Sequence, residues 1–349
     1  MSSNQFVRHT DNDQSGLPAG RASARPAPGR ADVVPDSPTT REAEGLQHKR
    51  RNRRRGRGEI VLFAGPALVV YLLFVMVPVG LAGYYGFFKW NGIGPLTDFV
   101  GLDNYVRALS DPVFIGAIGH NFFFVIASLL VQGPIAIGIA LLLNRPMRGR
   151  SFFRVLVFVP YVLSEVIAGV AWLLLLQPNG PFDALLTSLG LGDAVQLWLG
   201  DPTIVLWTML AVISWKYIGF AIILFLAGLQ GVPEELAEAA QIDGASWWQI
   251  QRHITIPLLG PTIRIWAFLS IIGSLQLFDL VWIMTGGGPA NATSTMATYM
   301  INFGFTRSQY GYGSAVAVIL FIISFAIAIV YQRFVLRRDT EGALTRRVG

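Results

Sequence analysis

Cysteine is absent from the 349-residue chain, which rules out disulfides, thiol catalysis and thiolate-bound metals. Charge is scarce as well. Asp, Glu, Lys and Arg make up 14% of the residues and hydrophobic types 53%, where soluble chains carry about 25% charged residues. That balance excludes an ordinary soluble domain. No Gly-Lys pair occurs, so the chain lacks a phosphate-binding loop. The four histidines are not grouped at metal-ligand spacing. The chain therefore reads as a non-enzyme that binds no cofactor or metal of its own. Its formal net charge of +6 is concentrated in tails and a few loops. We read that as membrane topology rather than nucleic-acid binding.

What the chain has in place of charge is long apolar runs. A membrane-crossing helix needs about 20 mostly apolar residues. Six stretches qualify, at 60–88, 121–143, 155–177, 203–230, 263–285 and 314–335. Pro66 and Pro78 are expected to kink the first or break off its ends. The expected fold is all-α, a polytopic membrane protein with six transmembrane helices. Residues 1–58 are polar, Pro- and Gly-rich, and read as a disordered tail ending in a basic cluster from Lys49 to Arg57. The transmembrane domain is placed at 59–338 and a short C-terminal tail at 339–349. Arg145, Arg148, Arg150 and Arg154 follow the second span, and Arg333, Arg337 and Arg338 follow or end the sixth. The positive-inside rule then puts both termini and these loops in the cytoplasm, and the loops at 89–120, 178–202 and 286–313 outside. In those outer loops, 103–110 and 293–303 each read as a short surface helix, and Trp198 as an interfacial anchor.

One polar stretch interrupts the spans on the cytoplasmic side. Pro233 suits the first position of a helix, with Glu234 and Glu235 in the first turn where the dipole favours them. Asp243-Gly244 is a stop, and Ser246 and Gln249 have the spacing of a capping box. Pro257 is expected to reset the chain before the fifth span. The segment reads as two short capped helices outside the bilayer.

Within that stretch, Glu238-Ala239-Ala240, then Gly244, then Ile254-Thr255-Ile256-Pro257 resemble the Glu-Ala-Ala loop of ABC importer permeases, with Ile256 in place of the usual Leu. Phe99–Tyr105, Phe153–Pro160 and Phe278-Asp279 through Pro289 are similar to the family's carbohydrate-type members, the maltose and glycerol-phosphate permeases. The resemblance covers roughly residues 60 to 335. It implies the type I ABC importer fold, with 231–262 as the coupling loop and a cytoplasmic coupling helix in it. The coupling residues it implies are Glu238, Ala239, Ala240, Gly244, Ile254 and Pro257. It further implies a second permease subunit of related but different sequence, two cytoplasmic ATPase subunits that bind ATP-Mg, and an extracytoplasmic sugar-binding protein. Membrane lipids are the remaining partner.

Three ionisable residues fall inside spans: Glu165, Lys216 and Asp279. A charge at the bilayer centre costs about 2.5–3.5 kcal/mol on insertion scales, so each should face a cavity or a partner. Glu165 and Lys216 lie near the middles of antiparallel spans and can meet. They read either as a structural pair or as substrate-pathway residues. Gln276 and Trp282 flank Asp279 by three residues, so all three can share one helical face, a set that suits a sugar. Two other readings stay open on residues alone: an ion-coupled secondary carrier built on these three charges, and a non-transporting scaffold.

Overall fold

The computed structural model describes residues 63–336, so both expected tails and the basic cluster lie outside the described residues. The chain divides into two units, Met1–Ala67 and Leu68–Gly349. Of the first unit, only residues 63–67 are described.

Among the described residues the regular structure is helical, apart from one isolated bridge between Phe88 and Phe99. In lipid only a helix satisfies every backbone N–H and C=O within its own segment, and these apolar runs obey that constraint. Five helices are long and apolar enough to cross a membrane. They are α1 (Phe63–Tyr85), α3 (Pro112–Asn144), α7 (Val205–Leu229), the Gly260–Met284 span and α13 (Tyr310–Leu336). The helix α2 (Asp103–Ser110) lies between the first two, as expected. α3 starts well before residue 121, because the Asp111 carboxylate caps it by accepting from the N–H groups of Val113 and Phe114.

The third expected span is not one helix. It is α4 (Arg150–Val162) and α5 (Glu165–Leu175), bent by 96° at the break. Pro160 lies inside α4, and the backbone turns extended at Leu163 and Ser164. The fifth span is also divided, into α10 (Gly260–Leu275) and α11 (Asp279–Met284). A helix that stops inside a membrane leaves its last carbonyls without donors. Each break is closed by a buried polar side chain from another span. Lys216 of α7 closes the first. Asn121 of α3 closes the second, donating to Ser274 O at 2.7 Å and Leu275 O at 3.2 Å while its own oxygen accepts from Met296 N at 2.8 Å. Asn121→Leu removes all three bonds. Bonds of this kind contribute about 0.6 kcal/mol each in membranes, so the loss should come to about 2 kcal/mol. A heat-denaturation midpoint unchanged from wild type in detergent would show that Asn121 does not hold this break.

Three prolines do something the sequence did not suggest. Pro78 was expected to kink its helix or break off its end, and Pro257 to restart the chain; Pro134 carried no expectation. Each of the three follows a single wide turn. The residue before the proline donates five residues back: Val77 to Leu72, Gly133 to Ser128 and Ile256 to Gln251. A proline cannot donate and its ring crowds the carbonyl four residues back. A wide turn just before it absorbs that conflict without breaking the span.

A further expectation changes. The segment around 293–303 is not on the surface: residues from Thr293 to Tyr299 are buried, with α12 (Met296–Tyr299) capped by Thr295 and packed beneath Asn121. Trp198 is half-buried and donates from Nε1 to the buried Asp183 of α6 (Pro181–Ser188) at 2.8 Å. α7 runs against α4 so closely that a Cβ on Gly219 would meet the Val157 carbonyl oxygen. That approach brings Lys216, one turn earlier, to the end of α4.

Candidate functional site

The connector between the fourth and fifth spans is built from local signals. Its first helix, α8 (Glu234–Ile242), starts one residue later than expected, with Pro233 as the extended cap. Glu234 and Glu235 occupy the first turn. It ends at Gly244, whose φ of 81° lies in the left-handed region. Gly244 N bonds Gln241 O at 3.0 Å and Ala245 N bonds Ala240 O at 2.9 Å, so the last carbonyls are satisfied by a Schellman turn. The next helix begins at once. Ser246 and Gln249 close a reciprocal capping box ahead of α9 (Trp247–Ile250). The wide turn Gln251–Thr255 then carries the chain through Pro257 into α10, so Pro257 does not reset the chain.

Of the six expected coupling residues, Glu238, Ala239, Gly244 and Pro257 are exposed, and Ala240 and Ile254 are half-buried. α8 buries no residue at all. Leu236, Ile242 and Trp248 are exposed apolar side chains on the same connector, with Ile242 at 88%. A rigid polar lever with an uncovered apolar rim is suited to being gripped by another protein.

Deeper in the spans, Glu165 and Lys216 do meet, but the ion pair is the weaker part of the arrangement. The Lys216 ammonium is buried and donates to Pro160 O at 3.0 Å, Tyr161 O at 2.9 Å and Leu163 O at 2.6 Å. It is 3.7 Å from Glu165 Oε1. The cation thus sits on the negative end of the α4 dipole, and Glu165 occupies the first turn of α5, at its positive end. Tyr217 OH donates to Glu165 Oε1 at 2.8 Å, and Glu165 Oε2 is buried with no hydrogen-bond partner.

Gln276, Asp279 and Trp282 are not on one continuous helical face. Gln276 ends α10, the chain is irregular through Phe278, and Asp279 starts α11. All three are exposed, and the Asp279 carboxylate has no hydrogen-bond or ion-pair partner among the described residues. α11 lies against α5, where Ile283 approaches Gly169.

A cavity of about 300 Å³ opens beside this cluster, a volume within the range of small-molecule sites. None of the five expected pathway residues lines it. Its polar lining comes from Ser128, Gln132, Ser214, Ser270 and Ser274, with Tyr161 and Tyr217 beside them. None of these was expected, because the reading of the spans started from ionisable residues and their immediate neighbours. Ser128 and Gln132, and Ser270 and Ser274, are each four apart, a spacing that puts each pair on one helix face. Ser128 and Gln132 also bound one of the wide turns.

Residues 132–339 match the family described as binding-protein-dependent transport system inner membrane component. The chain is 33% identical over 292 residues to the diacetylchitobiose uptake system permease protein NgcF of Streptomyces coelicolor, covering 80% of this chain and 82% of that relative. It is 33% identical over 269 residues to the trehalose/maltose transport system permease protein MalF of Thermococcus litoralis, covering 77% and 90%. The crystal structure of a bacterial ABC transporter involved in alginate import contains a chain of the same fold, with TM-score 0.71 and 24% identity over 82% of this chain and 99% of that one. The broken spans, the capped polar connector and these matches agree: the chain belongs to the inner membrane components of binding-protein-dependent ABC transport systems, and is a multi-pass membrane permease.

Proposed function

We propose that this permease is the membrane-spanning subunit of an ATP-driven importer for a sugar or oligosaccharide. The observation that carries the reading is the connector: a helix with two acids in its first turn and a Schellman turn at its end, with no buried residue and an exposed apolar rim. Such a segment transmits a push from a protein docked on it. The docked protein would be one of two cytoplasmic ATPase subunits, which bind ATP-Mg. A second permease subunit of different sequence and an extracytoplasmic binding protein complete the assembly. The arginines at 145–154 favour a cytoplasmic location for the connector and both termini. Sugar as the substrate class rests on the sugars that the relatives are named for and on the cavity, whose serines, Gln132 and tyrosines suit hydroxyl groups. Against an ion-coupled carrier, Lys216 is held by three backbone carbonyls and Glu165 by Lys216 and Tyr217, which leaves Asp279 as the one ionisable residue of the three without a partner.

The test is uptake of labelled oligosaccharides into vesicles holding the reconstituted complex with ATP inside and the proton gradient collapsed. Uptake that requires a proton gradient and ignores ATP would overturn the reading. A variant of the connector sharpens it. Nothing lies within 4 Å of a Cβ placed on Gly244, so a substitution there meets backbone strain alone. The left-handed region costs a Cβ-bearing residue about 1–2 kcal/mol, and a β-branched one more. Gly244→Val should lower ATP-driven uptake about tenfold or more while inserting normally. Gly244→Asn, which tolerates this conformation, should retain most of it. Equal uptake by both variants and wild type would remove the turn from the coupling mechanism.

A further inference from the structure

A second cavity, of about 770 Å³, lies between the connector and the start of α4. Arg145, Arg150 and Arg154 line it, facing a single carboxylate, Glu234. Trp247 and Gln251 from the connector line it as well. The Arg145 guanidinium stacks over Trp247 at 4.0 Å from the ring centroid. Arg150 makes one long bond from Nη2 to Asn144 Oδ1 at 3.5 Å. The Nε atoms of both Arg150 and Arg154 are buried and have no hydrogen-bond partner. Three guanidiniums around one cavity, two with unused buried donors, form an anion site with a preference for phosphate, whose oxygens accept several such bonds at once.

What the anion belongs to follows from a neighbouring feature. Arg154 also lines an apolar groove of about 370 Å³, which continues along α4 past Val155, Phe158, Val159 and Val162 and is closed by Ile223 of α7. The two share that arginine, so a charged site opens directly onto a greasy channel in the span region. A free phosphate has no use for the groove, and a peptide carboxylate does not extend into it. We propose that this permease holds an anionic phospholipid, its headgroup phosphate in the Arg145–Arg150–Arg154 cavity and one acyl chain in the groove between α4 and Ile223. The headgroup then braces the connector against the spans, since Trp247, Glu234 and Gln251 share its cavity. Anionic headgroups are attracted to such clusters from the surrounding leaflet.

The experiment uses the assembled transporter in nanodiscs that contain phosphatidylglycerol or phosphatidylcholine carrying a photoreactive group on the acyl chain. Labelling of 155–163 and Ile223 should be roughly tenfold stronger with phosphatidylglycerol, because each nearby arginine favours the anionic lipid. Arg150→Gln combined with Arg154→Gln should reduce it to the phosphatidylcholine level. Val159→Trp fills the groove on an exposed position and leaves the arginines in place, so it should lose the label as well, while the complex elutes and melts as wild type. Equal labelling by the two lipids would mean ordinary boundary lipid and overturn the proposal. Suppression of labelling by millimolar glycerol phosphate would reassign the cavity to a free anion. Labelling blocked by a second permease subunit crosslinked in the groove would reassign it to a protein contact.

Discussion

Lys216→Met should destabilise this permease by about 3–5 kcal/mol, far more than any change at its acidic partner. The variant keeps the length and apolar bulk of the side chain and removes the ammonium. Three carbonyls at the end of α4 then lose their donor in a buried place, each at a cost of about 1–3 kcal/mol. Glu165 loses a counter-ion too, but that side chain is 27% exposed and 3.7 Å away, and it keeps Tyr217. Glu165→Gln should therefore cost only about 1 kcal/mol, as solvent-screened pairs do. If the ion pair were the main bond, the two variants would be equally damaging. Heat denaturation of the two purified variants beside wild type decides between these accounts, and a Lys216→Met protein as stable as Glu165→Gln would sink ours.

Asp279→Asn should reduce sugar uptake roughly tenfold to a hundredfold with little change in stability. A hydrogen bond to a charged group contributes about 1.5–3 kcal/mol, which converts to that range. The carboxylate starts α11, where the helix dipole favours its charge, and it is exposed without a partner among the described residues. Trp282, one turn on, is also exposed and stacks with Phe278, with ring centroids 5.5 Å apart. A carboxylate at membrane depth with no protein partner should find water or substrate. Having no internal bond to lose, Asn at this position leaves folding intact. Uptake and the melting temperature of the complex should be measured together. Unchanged uptake, or a complex that melts earlier and fails with every substrate, would take Asp279 out of the substrate pathway.

These two residues also show what could be read in advance. The chain's charged residues among apolar runs marked Glu165, Lys216 and Asp279, and antiparallel spans said that the first two can meet. The same reasoning missed Ser128, Gln132, Ser270 and Ser274, because hydroxyl and amide groups carry no insertion penalty large enough to stand out. It also placed Gln276 and Asp279 on one helix by assuming that an apolar run is one helix. Nothing local in Leu275–Phe278 announces the break.

By itself the sequence determined the helical class, the number and order of apolar segments and the capped connector, because each depends on residues within about one or two turns of one another. Ser246 finds Gln249 three residues away, and the turn at Gly244 closes its helix with bonds that reach three and five residues back. The tertiary structure alone decided which spans are broken. A helix can stop inside a membrane only where some other segment satisfies the freed carbonyls. Here those donors are Lys216, 53 to 56 residues from its acceptors, and Asn121, about 150 from its own. No window along the chain contains both halves of either arrangement. Packing of α7 on α4 and of α3 on α10 brings them together, and so decides where the permease bends.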